Sequence, residues 1–247
     1  MRHVVSVGVV LSAAGLLAVV APAAAEIIVL KSGQSGAVPG SVGQLDDIVT
    51  YLPNNPPGAA IQPVLPFSPA EYAGAVAGPQ ATVIQAHPAW TPGISDPDAR
   101  WINFGIDRTI NPDGSVGGTG YGLPGSSLYA VPFFVNTPGA TGGFLNMEFA
   151  VDDTGGDWYF PFLGGNPDFL YVNGAPAGYS GGNYASSTFH NQFISFSSGQ
   201  NYLYLYQRDA GVLVSGLIFS ITIDVVPAPG VAGLAGVGLL AAARRRR

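Results

Sequence analysis

The chain has 247 residues, of which 35 are Gly, 21 are Pro and none is Cys, with 47% hydrophobic and only 10% charged residues. So much Gly and Pro excludes a long helical protein, because these are the poorest helix formers, and the lack of Cys excludes a disulfide framework or a thiolate metal site. A formal charge of −6 argues against nucleic acid or an anionic membrane surface as partner.

In chain order, Arg2 and His3 precede an apolar run from Val4 to Val20, which ends in Pro22 and Ala23-Ala24-Ala25 before Glu26. A short basic start, an apolar stretch and a small-residue exit at Ala23 and Ala25 make residues 1–25 a secretory signal peptide, cleaved before Glu26. The alternative is an uncleaved anchor, which needs about 20 apolar residues. The Ala-x-Ala exit favours cleavage. Export without cysteine fits a bacterial envelope protein held by its core.

Residues 26–225 carry short β-branched and aromatic runs separated by Gly, Pro, Asn and Asp. The spacing predicts strands over 26–30, 47–52, 81–86, 100–106, 128–135, 143–151, 169–173, 187–196, 201–207 and 217–225. Period-two alternation is clearest in the last, where Leu217, Phe219, Ile221, Ile223 and Val225 alternate with Ile218, Ser220, Thr222 and Asp224. No 12-residue window shows a helical period. The Pro-rich stretch 53–69 reads as a long surface connection within one domain. Many short strands with almost no helix predict an all-β fold, a two-sheet β-sandwich or jelly roll.

Four segments in order add to this reading: Ala99-Arg100-Trp101-Ile102, Phe149-Ala150-Val151-Asp152-Asp153, Tyr171-Val172-Asn173-Gly174 and Ser198-Gly199-Gln200-Asn201-Tyr202-Leu203. Together they resemble the galactose-binding-like β-sandwich of extracellular carbohydrate-associated modules. In that fold an Asp-bearing turn leads into a strand closing with Asn-Gly, and a Gly-x-Asn turn introduces the next. Asn173-Gly174 suits a tight hairpin turn that needs positive φ, and Gly199 with Asn201 suits a turn before a strand. The sequence departs from the family at Thr154 to Asp168, which reads as an insertion.

That insertion holds Trp158, Tyr159, Phe160 and Phe162. Exposed on a loop, such aromatics would stack on the apolar faces of sugar rings; the competing reading is a buried strand with Pro161 at its edge. Asp152, Asp153, Asp157 and Asp168 offer hard oxygen ligands for Ca2+, the one cofactor candidate, although Asp and Gly are also ordinary turn formers. Tyr202, Tyr204 and Tyr206 share a face opposite Leu203 and Leu205, the pattern of a sheet face half covered by a neighbour. Trp90 and Trp101 read as core. His87 falls in a loop and His190 in a strand, Glu148 faces the polar side of its strand, and no nucleophile elbow, metalloprotease pair or carboxylate pair is visible. The chain therefore reads as a non-enzyme.

The C-terminus runs Val226-Pro227-Ala228-Pro229-Gly230, then an uncharged stretch over 231–243, then Arg244, Arg245, Arg246 and Arg247. An apolar run this short, closed by arginines, suits a transient transmembrane helix with its tail in the cytoplasm. Residues 226–247 resemble the PEP-CTERM sorting signal of Gram-negative bacteria, with Ala228 where that family most often has Glu. The resemblance implies Sec export, transient inner-membrane anchoring, processing by an exosortase-type membrane protease, and release to the cell surface or exopolysaccharide matrix. Residues 26–225 hold all 15 acidic residues and only four of the nine basic ones, a formal charge of −11. The expected function is a non-catalytic carbohydrate-associated binding module of the extracellular matrix. The alternative is a self-assembling scaffold of the exopolysaccharide layer, and a third is a secreted glycan-cleaving enzyme. Extracellular polysaccharide is the expected partner; nucleic acid is not.

Overall fold

The structure is a computed structural model that describes residues 26–53, 66–110, 116–156, 166–210 and 213–227. The described residues fall within one compact unit, Ala24–Ala228. In chain order the strands are β1 (Glu26–Lys31), β2 (Gln34–Ser35), β3 (Val38–Pro39), β4 (Leu45–Tyr51), β5 (Gln80–Val83), β6 (Ile102–Asn103), β7 (Thr109–Ile110), β8 (Val116–Gly117) and β9 (Ser127–Val135). They continue with β10 (Gly142–Asp152), β11 (Thr154–Gly155), β12 (Leu170–Val172), β13 (Ala175–Pro176), β14 (Thr188–Ser195), β15 (Gly199–Arg208) and β16 (Gly216–Val225). A single helix among the described residues, α1 (Pro69–Val76), follows the Pro-rich stretch.

The fold is all-β. Twelve strands form one large antiparallel sheet in the order β13-β12-β15-β9-β4-β5-β6-β16-β10-β14, with β1 added to β16 and β11 to β15; β2-β3 and β7-β8 are small separate ladders. The long strands follow the alternation in the sequence. On β10, Leu145, Met147, Phe149 and Val151 are buried, and on β16 so are Leu217, Phe219, Ile221, Ile223 and Val225. These side chains join Val131 and Phe133 of β9, Leu203 and Leu205 of β15 and Leu170 of β12 in one apolar cluster. The sheet therefore curls, bringing its two halves onto a common core, and burial of this apolar area is the main stabilising term.

Two smaller clusters cover the outer surface. Phe67 and Tyr72 pack on Leu128, Ala130, Tyr171, Tyr204 and Tyr206. Ile84, Trp90, Ala99 and Trp101 pack on Ala150 and Ile218.

Several predicted elements change length. The strand expected over 100–106 shortens to Ile102–Asn103, and the one expected over 81–86 to Gln80–Val83. Helix α1 was not predicted. It has eight residues, too few to show a period in a 12-residue window. Ser68 caps it, accepting from the Glu71 backbone N–H while the Glu71 carboxylate takes the Ser68 N–H, with Pro69 in the first turn. That Ser-Pro-Ala-Glu capping box is its sequence signature.

Candidate functional site

The outer face of β15 carries the tyrosine stripe. Leu203 and Leu205 point into the core, which forces Tyr202, Tyr204 and Tyr206 to the other side. Helix α1 and Phe67 just before it cover most of them: the Tyr72 ring sits 4.6 Å from that of Tyr204, and Phe67 meets Tyr206 edge to face at 5.0 Å. Tyr204 and Tyr206 are buried, and Tyr202 stays half-exposed at the rim.

The adjoining wall is the β12–β13 turn. Asn173 and Gly174 both take positive φ, 51° and 83°, as a two-residue hairpin turn requires. Asn173 Oδ1 accepts from the Tyr202 N–H at 2.9 Å, and its Nδ2 donates to Asn201 Oδ1 at 2.9 Å. Asn201 in turn donates to Ser197 O and Gly199 O, closing the turn before β15, where Gly199 has φ 97°.

Between α1 and this turn lies an open groove of about 540 Å³, lined by Tyr72, Val76, Asn173, Tyr202 and Tyr204 among others. Burial pushes the Tyr204 phenol above its ordinary pKa, and the Tyr72 phenol is raised by burial and by repulsion between its phenolate and the negative charges of Tyr204, Glu71 and Asp168. Both stay neutral across the physiological range, able to donate as well as accept hydrogen bonds. A groove of aromatic faces and phenol hydroxyls, with no charged side chain among the described residues of its lining, suits a neutral polyhydroxylated ring.

A second cavity of about 570 Å³ lies beside the Trp90–Trp101 pair. Ile84, Trp101 and Ile218 form its floor, and Gln85, Asp96 and Arg100 its rim. The rim is already engaged: Lys31 Nζ bridges Asp96 and Asp98 at 3.1 Å each, and Arg100 Nη1 donates to Pro97 O and Ala99 O. Trp90 and Trp101 are buried core residues with ring centroids 4.4 Å apart, and Trp101 Nε1 donates to Thr91 O.

Trp158, Tyr159, Phe160, Phe162 and Asp157 lie outside the described residues, as do Ala23, Ala25, Ala228, Pro229, Gly230 and Arg244 to Arg247. Asp152 and Asp153 are adjacent at the end of β10, but no three carboxylates or imidazoles converge on a common point among the described residues. Burial, then the hydrogen bond and charge of Asp153 and the charge of Asp209, push the Asp152 carboxyl up to about 8. This favours the protonated carboxyl at neutral pH, and a cation placed among these carboxylates would pull the value back down. The Asp168 charge acts on the Tyr72 phenol, and burial raises the pKa of Asp168 itself.

Glu148 departs from its expected place on an open polar face: it is buried, accepting from the Ser95 N–H and Oγ–H. The loop carrying Ser95 folds over the strand, a contact that no local periodicity encodes. His87 accepts from the Ala89 N–H in its loop, and His190 stacks on Tyr179 at 3.8 Å with its pKa lowered by burial. At the sheet end, Glu26 accepts from Asn136 and Thr137, while the Val226 N–H donates to Gly142 O, extending the β16 pairing one residue into the predicted sorting segment. No described helix is long and apolar enough to cross a membrane; the 231–243 stretch lies outside the described residues. The groove residues that sequence reasoning missed are Phe67 and Tyr72, whose only sequence signal is the capping box that starts α1.

No protein family and no curated relative matches the chain. Among solved structures, the isomalto-dextranase of Arthrobacter globiformis T6 complexed with panose is similar at 12% identity and a TM-score of 0.29, over 59% of this chain and 20% of that one. The chain spans about a fifth of that enzyme's length.

Proposed function

We propose that this is an exported β-sandwich protein that holds a neutral stretch of extracellular polysaccharide without cleaving it. The groove between α1 and the Asn173-Gly174 turn carries the reading: Tyr202 stands half-exposed beside Tyr72 and Tyr204 over about 540 Å³. Flat aromatic faces match the apolar faces of sugar rings, and neutral phenols match their hydroxyls. The sandwich reading is supported by the curled sheet, whose two halves share one apolar core.

A charge of −11 over 26–225 disfavours direct pairing with an acidic polymer, so a neutral glycan is the better partner. Export and surface release rest on the signal-like residues 1–25 and on the Val226 to Arg247 pattern. Intact mass of protein recovered from the producing cell's surface is expected to lack residues 1–25 and the Arg244–Arg247 tail; a mass that retains Arg247 overturns the sorting reading. A groove lined without carboxylates among the described residues needs no cation, so glycan retention is expected to survive Ca2+ chelation; saturable heat on calorimetric titration with Ca2+ would instead assign a cation to the Asp152–Asp168 carboxylates.

A glycan array with the wild type, Tyr202→Ala and Trp158→Ala tests the site. Wild type is expected to retain a neutral glycan, and Tyr202→Ala to weaken it by about three- to tenfold, the worth of one aromatic contact. Loss with Trp158→Ala alone would move the site to the 154–168 insertion. Absence of any glycan signal for the wild type would overturn the proposal.

A further inference from the structure

The two ends of the large sheet differ in kind. At one end β13 is only two residues long and includes Pro176, which cannot donate to a further strand. At the other end β14 runs for eight residues, Thr-Phe-His-Asn-Gln-Phe-Ile-Ser, with no Pro and no carboxylate, lysine or arginine. Among the described residues it pairs with β10 alone.

The direction of its free groups follows from the ladder. The Phe196 N–H donates to Thr141 O on the β10 side. Alternate residues of a strand point their N–H and C=O opposite ways, so those of Phe189, Asn191 and Phe193 point away from β10. The same three residues bear exposed side chains on the outer face. Phe189 is 72% and Phe193 51% exposed, and Phe144 of β10, 55% exposed, meets Phe193 edge to face at 5.4 Å.

We propose that β14 is a self-association edge, at which a second copy of this chain pairs antiparallel about a two-fold axis through Asn191. Three observations single out a second copy. Centred on Asn191, the pairing places Phe189 opposite Phe193 of the partner and Phe193 opposite Phe189, so outward N–H and C=O groups meet their own counterparts in hydrogen-bonding register. It also makes one continuous aromatic row, from Phe144 through Phe193 to the partner's Phe189, on a common face. Charge permits the approach as well. The body is strongly acidic, yet the chain has no Asp or Glu from 169 to 208, the stretch that contains β14. The nearby Glu148 of β10 is already engaged with Ser95. Copies that repel elsewhere meet along this edge without opposed carboxylates on it.

This inference is independent of the tyrosine groove, which lies on β12, β15 and α1. The test uses the full chain in mild detergent, so that its apolar ends do not associate by themselves. Sedimentation from about 1 µM to about 500 µM, where small interfaces dissociate, is expected to show a reversible monomer–dimer equilibrium. Asn191→Pro is expected to abolish the dimer while leaving the fold intact, because its N–H makes no bond to β10. Asn191→Lys, which sets two like charges on the axis, should do the same and serves if the proline variant does not fold.

The register has its own readout, since the chain has no cysteine. Asn191→Cys is expected to give an oxidised dimer, because paired residues at the axis stand about 5.5 Å apart, within disulfide reach. Phe189→Cys is not, since its two copies would sit roughly 13 Å apart. A chain that stays monomeric throughout, a folded Asn191→Pro or Asn191→Lys variant that still dimerises, or equal cross-linking of both cysteine variants would overturn the proposal. Tyr202→Ala should leave the dimer unchanged.

Discussion

Asp152 is the residue whose chemistry departs furthest from its type. It ends β10 almost fully buried, its carboxyl pushed up to about 8 by desolvation and by Asp153 and Asp209. Asp46 follows the same rule: burial pushes it up to about 6 although Gly33, Ile48 and Val49 donate backbone N–H groups to it. A carboxyl with a raised folded pKa binds its proton more tightly in the native state. Its contribution is therefore largest in acid and is lost as pH rises through the folded value. Glu26 has the opposite sign. Burial resists its ionisation, but the hydrogen bonds from Asn136 and Thr137 prevail and lower it to about 2, so its contribution is lost only as pH falls towards that value. Stability should peak near pH 4 and decline from there to about pH 8, most steeply up to about pH 6 where Asp46 and Asp152 both contribute. Urea midpoints across that range check it, and Asp152→Asn should flatten the decline between pH 6 and pH 8. A midpoint that rises through this range would contradict the assignment.

At the scale of an element, α1 decides whether the β15 tyrosines form a covered face or an open platform. Its capping box is worth about 1 kcal/mol, so Ser68→Ala should lower the unfolding free energy by roughly that amount. It should also weaken the near-ultraviolet circular dichroism of the Tyr72–Tyr204 contact. Gly174→Ala should cost more than its size suggests. The position has φ 83°, and an added Cβ would stand 3.1 Å from the Tyr72 ring. The helix was legible only in part: Ser68, Pro69 and Glu71 announce a start, but eight residues are too few for a period. The stripe of Tyr202, Tyr204 and Tyr206 was legible as one face, and the structure covers it by one neighbour as such a pattern suggests. What covers it lies some 130 positions earlier in the chain, which periodicity within β15 does not encode.

Across the whole molecule, the curled sheet makes a shared core out of strands that never pair. Phe219 of β16 and Leu203 of β15 belong to the same cluster, each fully buried. Phe219→Ala is expected to cost about 3–5 kcal/mol, because a cavity of that size collapses only partly. Calorimetry should show one transition shifted down rather than a second transition, since both halves of the sheet line that core.

Where the long strands lie and which of their side chains turn inward can be read from local pattern. So can the Asn173-Gly174 turn, because strand alternation and turn φ preferences are properties of a few adjacent residues. The buried stations of Trp90 and Trp101 follow from their apolar bulk. Long-range packing sets that Ser95 closes over Glu148, that Asp209 stands near Asp152, and that Phe67 and Tyr72 wall a groove beside Tyr202. It also leaves β14 at the end of the sheet with Phe189, Asn191 and Phe193 facing outward. Local pattern states which face of a strand a residue occupies; the segment that covers that face, or leaves it open, is chosen by chain closure over tens to hundreds of residues.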